Sequence, residues 1–306
     1  MKQHTLWIEA YRPKNLDNYI GNDDLKERVA GFIAKNDIPH LLLHGSAGGG
    51  KTTLAKLIVG NIECDKLYMN ASDENGIDVI RDKVKQFASA ASFSPIKVVI
   101  LDEADFLTQA AQAALRNVIE EYSLTTRFIL TCNYIERIID PLQSRCEIHK
   151  LVPPSKGAIA KHLCKNILDK ESITYDVKEI ASLVNEYYPD VRSMIKNLQA
   201  GIKDNAFVVV KKNINWCSEL VKQLKSRDNK AWYNIRQIIA DEQVTDFQTA
   251  YRYMFDNLSE FSYGNDAELS IILDDFIWRA SVVPDKEINF SACIARILDT
   301  NKKKVL

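Results

Sequence analysis

The run Leu41-Leu42-Leu43-His44-Gly45-Ser46-Ala47-Gly48-Gly49-Gly50-Lys51-Thr52-Thr53 constrains this chain more than any other stretch. Three leucines read as a buried strand, the glycines as a turn, and residues 52–59 as a helix. The spacing from Gly45 to Gly50, then Lys51 and Thr52, is that of a phosphate-binding loop. Glycines let the backbone curl so that the N–H groups of Gly45, Ser46, Ala47, Gly48, Gly49 and Gly50 face inward around phosphate oxygens. The helix that follows aims its positive end at the same anion. Lys51 would then reach the β- and γ-phosphates of ATP, and the Thr52 hydroxyl, next to Thr53, would hold Mg²⁺. The plainer reading is a glycine-rich turn followed by a chance Lys-Thr pair. The strand before it and the helix after it favour the nucleotide.

The rest of the first half repeats one alternation. A polar helix over 23–35 precedes the loop, and a short strand over 67–70 and a helix over 77–91 follow it. The run 97–101 is apolar without a break, as in a strand buried on both faces. An alanine-rich helix over 109–122, a strand over 127–132, a short helix over 138–144 and a strand over 148–151 complete the set. Strands alternating with helices predict a parallel sheet with right-handed crossovers and a ligand crevice beyond the strands' carboxyl ends. Before all this, Trp7 to Leu16 reads as an extended arm, because the residue before Pro13 is biased away from helix. Pro153-Pro154 marks a boundary, after which everything reads as helix, with a further break at Lys225-Ser226-Arg227-Asp228. The predicted architecture is an α/β ATPase-type domain over 1–152, a small helical domain over 153–226 and an all-α domain over 227–306.

At 306 residues with a formal net charge of −1, the chain has no global basic character. Any nucleic-acid contact must come from a local patch. The six cysteines include no Cys-x-x-Cys pair, which argues against a zinc site and a disulfide framework. The N-terminus does not read as a signal peptide, and no apolar run approaches a membrane span. The aromatics of the last third, among them Trp232, Tyr251 and Trp278, recur at helical spacing and read as core; the tail 301–304 reads as a solvated end.

Three segments besides the loop carry chemistry. Asp102 and Glu103 close the apolar strand. In a phosphate-loop enzyme the first carboxylate supports Mg²⁺ and the second polarises a water for attack on the γ-phosphate; alone, the pair would also suit a solvated turn. Asn133 ends the neighbouring strand and either hydrogen-bonds the γ-phosphate or the attacking water, or serves as a turn residue. Arg145 falls beyond the short helix, far from its own loop. Spacing alone favours a surface arginine; the alternative is a finger that completes a neighbouring subunit's site.

Together these residues resemble the small ATPase subunits of sliding-clamp loaders, the replication factor C type within the AAA+ ATPases, from Trp7 to about Gln199. Glu9-Ala10-Tyr11-Arg12-Pro13 resembles the family's adenine-flanking arm. Asn70-Ala71-Ser72-Asp73 and the segment from Gly76 through Ile77 to Arg81 resemble its first DNA-facing segment. Asp102-Glu103-Ala104-Asp105 and Ala114-Leu115-Arg116 resemble its Walker B region and following helix, whose Arg116 is expected to couple subunits. Asn133 falls on the sensor 1 asparagine. Ser144-Arg145-Cys146 falls on the family's Ser-Arg-Cys, whose arginine is the trans finger. Asp190-Val191-Arg192 falls on the sensor 2 segment, whose arginine meets the γ-phosphate in cis. The chain departs from the pattern at Ser46-Ala47 (commonly two prolines), at Gly49 (commonly Thr) and at Ser193 (often a second Arg). Residues 87–93 are especially similar to the loader subunit of T-even bacteriophages, so a phage source is expected ahead of an archaeal one. The family places this region near the clamp, while the plain reading of Phe93 is a core residue.

The resemblance implies an ATP- and Mg²⁺-dependent subunit that opens a ring-shaped clamp and leaves it on primer–template DNA. Its partners would be the clamp, other copies of itself and at least one different loader subunit, with no membrane. Arg81 and Lys85, on the helix that carries Ile77, and the helix start at Thr108 would meet the DNA backbone; alternatively Arg81 and Lys85 pair with Asp78 and Asp82 on a solvated face. The last domain would form the family's collar. The location implied is the cytoplasm, of a bacterial host if phage-encoded, or the nucleus if eukaryotic. Two other readings compete: a catalytically silent AAA+ scaffold, which usually loses the loop lysine or the Walker B carboxylate, and a branch-migration helicase.

Overall fold

The computed structural model describes residues 6–208, 215–226, 228 and 230–303. Residues 1–5 of the N-terminus, Arg227 of the second boundary and Lys304 of the tail lie outside them. The chain divides into two compact units, residues 1–210 and 211–306.

The first unit is built on five parallel strands: β1 (Leu41–His44), β2 (Cys64–Asn70), β3 (Ile96–Asp102), β4 (Thr126–Cys132) and β5 (Glu147–Lys150), in the order β2-β3-β4-β1-β5. Every residue of β3 is buried, as its unbroken apolar run requires. Strand alternation sorts the side chains onto two faces. Leu42, Val99, Leu101, Phe128 and Leu130 enter one core with Ile80, Val84, Leu115 and Val118. Leu41, Leu43, Val98, Ile100 and Ile129 enter the other with Leu54, Ile58 and Val29. Two helices on each face are thus held by alternate residues of the same strands, each fully buried leucine contributing roughly 1.5–3 kcal/mol. Register aligns the strand ends: His44 lies beside Cys132, and Asn70 beside Asp102.

The helices start where the sequence supplies a cap. Thr108 Oγ1 accepts the Ala111 N–H at 3.2 Å at the head of Gln109–Glu121. Asp190 Oδ1 accepts the Ser193 N–H at 3.1 Å at the head of Val191–Ala200. The segment 77–91 is one run of helix over 77–89 with a π turn at Ile80–Val84. Arg81 and Lys85 are exposed on it.

Three expectations need correction. The arm is not extended: Trp7–Ala10 is a helical turn, and Trp7 is buried among Ile159, Leu163, Met194 and Leu198 of the small helical region, its backbone N–H donating to Gln199 Oε1 at 3.0 Å. The pre-proline restriction acts only on Arg12, after the turn has ended, and burial of Trp7 holds the residues before it in a helical turn. The region after Pro154 is not all helix: Ile202–Lys203 and Ala206–Phe207 form a small antiparallel pair. Asp204 and Asn205 turn it with positive φ of 47° and 62°, a conformation those two residues accept readily. Finally, the expected division at 226–227 falls inside the second unit. The helix Asn215–Lys225 gives Trp216, Leu220 and Leu224 to the same core as Ile235, Tyr251 and Phe290.

Among its described residues the second unit contains helices and no strand: Ala231–Asp241, Gln248–Asp256, Asp266–Ala280 and Lys286–Lys303 follow the first helix. Tyr251 is buried as expected, while Trp278 is 66% exposed. The tail is not wholly solvated, since Asn301 is buried and donates its Nδ2 to the Phe261 carbonyl at 2.8 Å. No helix among the described residues is long and apolar enough to cross a membrane.

Candidate functional site

One pocket of the first unit gathers most of the singled-out residues. Ala47, Gly48, Gly49, Gly50, Lys51, Thr52 and Thr53 line it from the loop after β1, Asp102 and Glu103 from the end of β3, and Asn133 from the end of β4. Tyr11, Arg12 and Pro13 line it from the arm, and Arg192 from the start of Val191–Ala200. Three loop glycines are sterically required, among them Gly45, where a Cβ would meet the Leu151 carbonyl oxygen at 2.7 Å. Gly48 and Gly50 have φ of +71° and +88°; a Cβ on Gly48 would meet Asp190 Oδ1 at 2.0 Å, and one on Gly50 would meet the Tyr19 ring at 3.0 Å.

Lys51 is buried and drawn toward the loop's own oxygens. Its Nζ donates to the Gly45 and Ser46 carbonyls at 2.8 Å each and to Asn133 Oδ1 at 2.7 Å. Burial lowers its pKa below the ordinary lysine value, and nearby Arg192 pushes the same way against Asp105 and Asp102. Asp102 is held on both oxygens. Thr52 Oγ1 donates to Oδ1 at 2.8 Å, with Thr131 Oγ1 on the same atom, and the Tyr68 hydroxyl donates to Oδ2 at 2.7 Å. Glu103 sits in the left-handed region at φ 57°, its N–H donating to Thr131 Oγ1 at 3.1 Å. For a glutamate this conformation costs on the order of 1 kcal/mol, and it places Glu103 on the pocket wall. A hydroxyl and a carboxylate converging 2.8 Å apart are the hard oxygen donors that Mg²⁺ takes, so the residues present fit that ion.

Sequence reasoning missed Tyr19 and His162 on the pocket wall and the role of Asp105 behind it. Buried Asp105 fixes the exit of β4, its Oδ2 accepting the Asn133 and Tyr134 N–H groups at 3.2 and 3.3 Å. Tyr19 underlies the loop, and burial raises its phenol pKa well above the ordinary range. His162 also lines the pocket, and burial, with Lys170, lowers its pKa. Only packing reveals Tyr19 and His162, which no motif contains. The strand-end aspartate already quoted in Asp102-Glu103-Ala104-Asp105 was the available signal for Asp105.

Arg145 lies outside the pocket. It is a third exposed, ion-paired with Glu120, and its Nη1 donates to the Pro141 carbonyl at 2.6 Å. Ile77, Arg81, Lys85 and Thr108 are also apart from it. Lys85 pairs with Glu121 at 3.1 Å rather than with Asp82, and Arg81 makes no ion pair with Asp78 among the described residues. Arg116 bonds Asn117 on its own helix. Ser193 serves the helix cap, its Oγ donating to Asp190 Oδ2 at 2.7 Å. Phe93 is not a core residue: it is fully exposed between Ser92 and Ser94, whose hydroxyls hold Asp65 at 2.7 and 2.9 Å.

Residues 41–154 match the family described as ATPase family associated with various cellular activities (AAA). The replication factor C small subunit of Archaeoglobus fulgidus is 43% identical over 206 residues, 65% of this chain and 64% of that protein. Its counterpart in Methanococcus vannielii is 44% identical over 216 residues, 68% of this chain and 66% of that protein. The chain therefore matches just under two thirds of these relatives' length. They are archaeal and lend no support to a phage source. Among solved structures, the Thermotoga maritima RuvB Holliday junction branch migration motor superimposes with a TM-score of 0.56 at 18% identity, covering 81% of this chain and 91% of that one; a likeness of that order shows a shared fold alone. Over the matched stretches, this chain is similar to the AAA ATPase family and to archaeal replication factor C small subunits.

Proposed function

We propose that this chain is an ATPase subunit of a sliding-clamp loader, in which ATP binding opens a ring-shaped clamp and hydrolysis releases it on primer–template DNA. The observation that carries this reading is a division of the site. Lys51, Thr52, Asp102, Glu103, Asn133 and Arg192 share one pocket, while Arg145 stands on the surface away from it.

In this reading the loop amides and Lys51 bind the phosphates, and Tyr11, Arg12 and Pro13 flank the base. Thr52 and Asp102 hold Mg²⁺, which when bound neutralises phosphate charge. Glu103 takes the proton of the attacking water as general base, Asn133 and Arg192 hold the γ-phosphate, and Arg145 completes a neighbour's site. Other copies of the chain, at least one different loader subunit, the clamp and primer–template DNA are the partners. Ile77, Arg81, Lys85 and Thr108 face the DNA backbone, and the second unit forms the collar. The intact Lys51 and Asp102 speak against a silent scaffold.

Hydrolysis by the isolated chain and by the assembled complex, with and without clamp and primed DNA, tests the reading. The isolated chain should turn over slowly and the assembly should be stimulated by clamp and DNA together. Absence of that stimulation in a complete assembly would overturn the loader reading; absence of ATP binding would favour the scaffold.

A further inference from the structure

Asp102 is the one carboxylate of the pocket with a donor on each oxygen from a different element. Strand register explains how Tyr68 reaches it. Tyr68 lies opposite Ile100 and Asn70 opposite Asp102, so Tyr68 is the diagonal neighbour of Asp102 on the same face of the sheet. A diagonal pair is within reach of an aromatic side chain but not of a short one. The ring spans that gap, and its hydroxyl lies 2.7 Å from Asp102 Oδ2. The ring is itself held, with Lys56 Nζ 4.3 Å from its centroid. Lys56 and Thr52 are four residues apart on the helix Lys51–Gly60, hence on one face. That face therefore governs both oxygens: Oδ1 directly through Thr52, and Oδ2 through Lys56 and Tyr68.

We propose that Tyr68 is a positioning residue for the divalent-cation site, fixing the plane of the Asp102 carboxylate through Oδ2 so that Oδ1 stays directed at the Thr52 hydroxyl. This rests on the nucleotide reading of the pocket. The terminal torsion of an aspartate is broad and two-fold, so donors on one oxygen alone leave the plane of the group loosely set. Mg²⁺ demands near-octahedral geometry and yields its waters reluctantly, so a carboxylate that rotates is a poorer partner. Core packing does not account for this tyrosine, which is 44% exposed at the sheet edge. Partners of this kind set metal affinity without touching the metal.

The test is binding of a fluorescent ATP analogue titrated with MgCl₂, comparing the natural chain with Tyr68→Phe, which keeps the ring over Lys56 and removes only the hydroxyl. The MgCl₂ concentration giving half of the magnesium-dependent tightening should rise roughly tenfold. Affinity in EDTA and the melting temperature should stay the same, which a merely structural role would not give. In an Asp102→Ala background Tyr68→Phe should add nothing, because the two act as one unit. Superimposable MgCl₂ curves, or a full shift that persists without Asp102, would overturn the proposal. Failure of the natural chain to bind the analogue at all would instead remove the nucleotide reading beneath it.

Discussion

Lys51 Nζ lies 2.7 Å from Asn133 Oδ1, so the loop after β1 and the end of β4 are joined at the centre of the pocket. The amide orients the ammonium as well as facing the site. Asn133→Ala should therefore lower turnover of the assembled complex by about tenfold or more, the scale of a charge-assisted hydrogen bond. Nucleotide binding should weaken much less, because the two loop carbonyls still hold Lys51. Parallel equilibrium binding and single-turnover hydrolysis would show the split; equal losses in both would deny Asn133 a separate role.

Glu103 combines a pocket position with a left-handed backbone. Glu103→Gln keeps the size of the side chain and removes the base. ATP and DNA binding should persist while hydrolysis falls by about 10²-fold or more. Loss of ATP binding with an intact fold would refute the assignment.

Arg145 is engaged by Glu120 on its own subunit. Breaking a partly exposed pair of this kind changes stability by at most about 1 kcal/mol, so Arg145→Ala should melt near the natural chain and bind nucleotide as well when isolated. In the assembly it should depress hydrolysis by about 10³-fold or more. Mixing Arg145→Ala with Lys51→Ala subunits would show whether the defect belongs to the neighbour's site.

Arg81 and Lys85 are not equivalent. Lys85 is held by Glu121, and the pair raises the lysine's pKa. Arg81→Glu should weaken DNA binding at all sequences and flatten the salt dependence by about one unit of log–log slope for each phosphate left unneutralised. Glu121→Gln should strengthen binding by releasing Lys85. DNA affinity measured across a salt series checks both, and unchanged slopes would remove this helix from the interface.

His40 ties acid stability to the sheet. Its Nδ1 accepts the Phe128 N–H at 3.2 Å, and burial together with Arg127 lowers its pKa from 6.5. A pKa depressed on folding means the unfolded chain binds the proton more readily. The contribution is then complete above about pH 6.5 and is lost as pH falls through the folded value. Melting temperature should be level at neutral pH and decline below that point. Half-buried His162 adds to the same trend, and His40→Asn should reduce the slope. A decline of the same steepness in His40→Asn would exclude this residue as its source.

The loop, the parallel sheet and the convergence of Gly45, Asp102 and Asn133 were legible because each depends on local patterns: glycine spacing, apolar runs and strand ends. Tyr68, Tyr19 and His162 were not, because each acts through a partner distant in sequence. The diagonal from Tyr68 to Asp102 exists only once β2 and β3 are in register. Trp7 misled for a related reason, since its core partners lie some 150 to 190 positions later, and the pre-proline bias bears on Arg12 alone, outside the turn. Arg145 is a different case: spacing reads it as a surface residue, and in one subunit it is one.

The arm is fastened at both ends, Trp7 in the core of the small helical region and Tyr19 in one core of the sheet. Between them Ile8, Tyr11, Arg12 and Pro13 form part of the pocket wall. The wall is consequently a strap whose slack is set by the separation of its anchors. In kinetic terms, loosening either anchor should speed ligand entry and escape together while leaving their ratio nearly unchanged.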